Sequence, residues 1–123
     1  MKIKHITNIL SRFTSDNVLR PDNSTNRDRL EIAAWLKLSC SASDIETNPY
    51  NQLISLLLKY TDSQGQKTLK IDTILLPNPQ TGALFSGVPT IKSVGQITQM
   101  DLFVQDLPDH MKLTPESIHI KAA

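Results

Sequence analysis

The sequence has little of what small reactive folds are built from. One cysteine, Cys40, stands in 123 residues, which excludes an internal disulfide. The three histidines, His5, His110 and His119, are scattered and do not have the spacing of a zinc site. Four glycines are too few for a glycine-rich phosphate cradle, and neither a Gly-x-Ser-x-Gly elbow nor a Cys-His arrangement of family type occurs. No apolar run approaches the roughly 20 residues that cross a bilayer. The opening Met1–Phe13 stretch is too often interrupted by polar residues to hold the about 7–15 apolar positions of a secretory signal. Charge of one sign is missing too. Thirteen Lys and Arg against twelve Asp and Glu leave a net charge of +1, spread along the chain rather than gathered in blocks. These absences lead us to expect a soluble, cytoplasmic chain in a reducing compartment, with no cofactor, no metal, no nucleic-acid partner and no membrane partner. The sequon Asn23-Ser24-Thr25 is then incidental.

What is present is alternation. From Leu30 to Ala42, Leu30, Ile32, Ala34, Leu36, Leu38, Cys40 and Ala42 share one side, while Glu31, Ala33, Trp35, Lys37, Ser39 and Ser41 share the other. That is the pattern of a half-buried β-strand, and it makes Cys40 a small buried hydrophobe. A helix over Arg27–Leu38 is the rival, since Ala and Leu favour helices, but the Ser39–Ser43 continuation keeps the alternating phase and is poor helix material. A second strand holds Ile54, Leu56, Leu58 and Tyr60 on one face with Leu53 and Leu57 on the other, so it should be central and covered on both sides. Asp62–Gln66 reads as a hairpin loop, with Gly65 free to take a positive φ, leading into a third strand over Thr68–Leu76. Pro77 and Pro79 close that strand and Ala83–Phe85 begins a short one. Val88–Val94, with Pro89 inside it, is expected to be irregular.

Gln96–Leu107 alternates again, with Met100, Leu102 and Val104 opposite Asp101, Phe103 and Gln105, and Ser117–Lys121 supplies a short closing strand. The stretch Ile97–Lys121 is similar in architecture to jelly-roll and immunoglobulin-like binding modules, a likeness from which no function follows. At the other end, Ile3, Ile6, Leu10 and Phe13 recur at steps of three and four, the stripe of a short helix, followed by a polar linker. The expected fold is all-β, mainly an antiparallel β-sandwich or open barrel of five to six strands, with a short N-terminal helix. Residues 1–28 form the arm and linker and residues 29–123 the β-domain.

Candidate chemistry is sparse. Asp101, Asp106 and Asp109 lie near the end of the long strand with His110 beside them, the residue types of an acid and base pair. The Asp106–Asp109 stretch reads equally as a turn in which Asp accepts backbone hydrogen bonds. Asp44, Glu46 and Asn48 alternate in a polar loop as oxygen donors but lack the glycine and final Glu of a calcium loop. Trp35, Phe103 and Tyr50 are aromatic residues on otherwise polar surfaces, suited to stacking on a sugar or anchoring a protein contact. The leading expectation is a non-enzymatic β-sandwich that acts through protein contacts, as a homo-oligomer or assembly subunit. A carbohydrate-binding module using Trp35, Phe103 and Tyr50 is one alternative, and a carboxylate-dependent hydrolase is the other.

Overall fold

The structure, a computed structural model, describes residues 3–40, 52–76, 82–109 and 111–123. Eight strands are present among them: β1 Ile3–Asn8, β2 Thr25–Cys40, β3 Leu53–Asp62, β4 Gly65–Leu75, β5 Ala83–Gly87, β6 Thr90–Val94, β7 Gln99–Gln105 and β8 Met111–Ala122. One sheet has the order β1-β7-β3-β4; in the other, β2 carries β5 and β6 along one side and β8 along the other. All neighbours run antiparallel. The fold is the all-β, sandwich-like class that the alternation implied.

The core lies between the inner faces. Leu30, Ile32 and Leu36 of β2 meet Ile54, Leu56 and Leu58 of β3, with Met100 and Leu102 of β7, Phe85 of β5 and Ile91 of β6 completing the layer. Each such side chain contributes about 1.5–3 kcal/mol on leaving water, which is why strands with a strict period of two hold this arrangement. As expected, β3 is central, with β7 and β4 flanking it and the β3–β4 hairpin turning at Ser63-Gln64 with Gly65 at φ 117°. Among the described residues, however, it is not covered on both sides, since Leu53 on its outer face is 55% exposed. Leu57, on the outer face of β3, is also buried, with Phe103 and Lys70 in register on either side.

Two side-by-side contacts tie the sheets. On one side the Ser86 amide donates to Asp72 Oδ2 at 2.9 Å, and Gly87 comes so near β4 that an added Cβ would lie 2.7 Å from the Ile71 carbonyl oxygen. On the other side Lys4 donates to the Met111 carbonyl and Arg12 to the Ile118 carbonyl at 2.7 Å, so these two cations cover part of the free edge of β8.

Four expectations are corrected. The N-terminal helix does not form: Ile3–Asn8 is an edge strand on β7, followed by 3-10 turns at Leu10–Arg12 and Ser15–Leu19. The helical spacing arises because the ladder shifts register between His5 and Thr7, and the following turn carries Ile9, Leu10 and Phe13 back onto the core. The strand count is eight, not five or six. Val88–Val94 is not irregular, because Pro89 interrupts the edge only briefly: its carbonyl accepts the Leu30 amide at 3.2 Å, and β6 continues the register that β5 has with β2. The closing strand begins at Met111 rather than Ser117, its Pro115 tolerated on an edge beside a register shift. In addition, β2 starts at Thr25, in the stretch expected to be linker: where the core ends, Asn26 Nδ2 donates to the Gly95 carbonyl at 3.2 Å and the Asp28 carboxylate accepts from Arg20. The side chain of Cys40 lies outside the described residues; its backbone pairs with Met111.

Candidate functional site

Strand register builds the outer face of the β1-β7-β3-β4 sheet in cross-strand rows. One row sets His5, Phe103, Leu57 and Lys70 side by side; the next sets Asn8, Asp101, Lys59 and Thr68. Phe103 is therefore walled in. The His5 ring stands edge-on to it, with centroids 5.2 Å apart and planes at 75°, and Lys59 Nζ is 5.1 Å from its centroid. Beside it opens a hollow of about 600 Å³ lined by Ile3, Leu57, Lys59, Thr68, Lys70 and Gln105. Further along the face Leu53 and Leu75 form a directly opposed pair, 55% and 59% exposed.

Asp101 is the buried charge of this face. Its Oδ1 lies 2.8 Å from His5 Nε2, and its Oδ2 accepts Gln99 Nε2 at 3.0 Å. Burial pushes its carboxyl up, but hydrogen bonds from His5, Gln99 and Asn8 outweigh that and hold it below the ordinary carboxylate range. A histidine oriented by a carboxylate is one part of a nucleophile-activating pair. Among the described residues, no hydroxyl or thiol is hydrogen-bonded to His5, so the pair stands without a nucleophile and ties β1 to β7.

The other candidates do not join it. Asp106 sits past the end of β7 with φ 68°, five chain steps or about 16 Å from Asp101. Asp109 lies in the following turn, where the Met111 amide donates to the Pro108 carbonyl at 3.0 Å, the turn reading that the sequence offered. His110, Tyr50, Asp44, Glu46 and Asn48 lie outside the described residues. Among the described residues no three His, Cys, Asp or Glu side chains gather as metal ligands, and no helix is long and apolar enough to cross a membrane.

Trp35 is elsewhere. It projects from the outer face of the β2 sheet, 39% exposed, directly opposite Leu84. Trp35 and Phe103 thus face away from each other across the sandwich and do not form one stacking platform. Counting by twos puts Trp35 on one face with Glu31 and Lys37, and Phe103 on one face with Asp101 and Gln105, but the pairing of His5 with Asp101 was hidden. His5 reaches Asp101 only because β1 is a strand, and no local signal in the sequence announces that. No protein-family model matches the chain, and neither a curated protein nor a solved structure matches it.

Proposed function

We propose that the chain is a non-enzymatic β-sandwich module acting through protein contacts, as a homo-oligomer, with the outer face of the β1-β7-β3-β4 sheet as the contact surface. The observation that carries this reading is the open Leu53–Leu75 pair, on the same face as Ile3, Leu57 and Phe103. Cross-strand leucines at more than half exposure stabilise the isolated sheet little, whereas covering them adds about 25 cal/mol for every Å² removed from water. The chemistry of the face agrees with a contact role: its one buried carboxylate is fully engaged in holding neighbouring strands. The lone cysteine fits a reducing, cytoplasmic setting.

Sedimentation velocity on the purified chain tests the reading. At high micromolar concentration the wild type should sediment as an oligomer, and Leu53→Glu with Leu75→Glu should sediment as a monomer with an unchanged circular dichroism spectrum. A wild type that stays monomeric at that concentration overturns it.

A further inference from the structure

We propose that the outer face of the β2 sheet binds single-stranded nucleic acid, with Trp35 stacking on a base and the surrounding cations holding phosphates. This goes beyond the contact role of the opposite sheet and stands or falls separately from it. The starting point is how a strand sorts charge. In the run Arg27-Asp28-Arg29 the signs alternate, so the sequence looks balanced, but Asp28 turns to the inner side and accepts both guanidinium nitrogens of Arg20, at 3.0 and 2.8 Å. Arg27 and Arg29 are left together on the outer side.

The register then adds to them. Arg27 stands directly opposite Lys92, Lys112 opposite Ser39, and Lys37 opposite Thr114, all on this same face and all exposed. Lys121 lies opposite Glu31, with which it pairs at 3.7 Å. Glu31 is the carboxylate set among these cations, and Glu116 lies at the register shift of β8. Among the described residues none of Arg27, Arg29, Lys37, Lys92 and Lys112 is in an ion pair. Like charges directly opposite each other weaken a sheet. An anionic chain laid across them reverses the sign of that interaction.

The aromatic residue selects among anionic chains. Trp35 lies two steps from Lys37 and six from Arg29 along β2, about 7 and 20 Å, so a flexible strand running along the face meets cations on both sides of an open ring. Leu84 supplies an apolar floor beside it. Phosphate contacts interleaved with an exposed aromatic ring on a sheet surface are the chemistry of single-strand binding, in which bases must be unstacked to reach the ring. An acidic polypeptide would satisfy the cations but offers no planar ring for Trp35.

Trp35 is the single tryptophan, so its fluorescence reports this face alone. The full chain is titrated at low salt with an unstructured oligothymidylate of about 15 nucleotides, within the usual range of single-strand sites. The expected result is saturable quenching whose log affinity falls with log salt, at about 0.7 per phosphate neutralised. By anisotropy of a labelled oligonucleotide, Arg27→Ala and Lys92→Ala should each weaken binding several-fold and flatten the salt slope by about 0.7. Neither should lower the thermal midpoint, since each removes a like-charge pair. Trp35→Leu should weaken binding about tenfold. Asp16→Asn, which raises net charge by one away from this face, should leave affinity within about twofold. Three results would overturn the proposal: no quenching at saturating oligonucleotide; polyglutamate binding as tightly as the oligonucleotide; or Asp16→Asn changing affinity as much as Arg27→Ala does.

Discussion

Ser93 and Asp62 show how differently two buried polar side chains can sit in one sandwich. Ser93 faces the core from β6, and its hydroxyl has no hydrogen-bond partner among the described residues. An unmet hydroxyl costs about 1–3 kcal/mol, so Ser93→Ala should raise stability by about 1 kcal/mol in urea titration with an unchanged slope. Asp62 is the reverse. Its carboxylate accepts the Gln64 and Val94 amides at 2.9 Å each and the Lys67 ammonium at 2.8 Å, pinning the β3–β4 hairpin to the end of β6. Asp62→Ala leaves two amides unmet and should cost about 3 kcal/mol, Asp62→Asn about half that. Burial pushes this carboxyl up, yet Lys67 and the two amides prevail and hold it below the ordinary value of 3.8. Because the folded-state value is the lower one, the stabilisation is complete above the unfolded value and is lost as pH falls through the folded one. Denaturation midpoints followed below about pH 4 should therefore fall less steeply in Asp62→Asn than in wild type.

Elements were legible in proportion to how evenly their two faces differ. The alternation in β2 and β7 and the doubly apolar middle of β3 could be read directly, because those strands lie at sheet centres where every second side chain must enter the core. The edges could not. A register shift turned the apolar pattern of β1 into apparent helical spacing, Pro89 masked β6, and the polar first half of β8 concealed a strand whose outer side meets solvent and two cations. The site was half legible for the same reason. Which residues share a face with Phe103 or Trp35 follows from counting by twos, but which strands lie beside them is set by long-range pairing. Hydrogen exchange should reproduce this order. Amides of Leu56, Leu58 and Leu102, in strands paired on both sides, should exchange most slowly, and those of β1 and β8 fastest outside the turns. Protection of β1 equal to that of β3 would contradict it.

Across the whole molecule, a net charge of +1 conceals a strong polarity of charge. The carboxylates Asp16, Asp22 and Asp62 lie at a strand end and turns and Asp28 on the inner side of β2, while the outer face of the β2 sheet carries Arg27, Arg29, Lys37, Lys92 and Lys112 without ion-pair partners among the described residues. Field at a surface depends on local grouping rather than the total, within a Debye length of about 10 Å at moderate salt. Chromatography can separate the two. The double variant Arg27→Ala with Asp16→Asn keeps the net charge of the wild type, since one change removes a positive and the other a negative charge. If binding to a cation exchanger followed the total, the two proteins would elute together. Because Arg27 stands opposite Lys92 and on one face with Arg29, the variant should instead elute at distinctly lower salt. The reciprocal control, Asp16→Asn alone, adds a unit of net charge and should shift elution less than the double variant does in the other direction. Co-elution of wild type and double variant would mean that these cations do not act together as one surface.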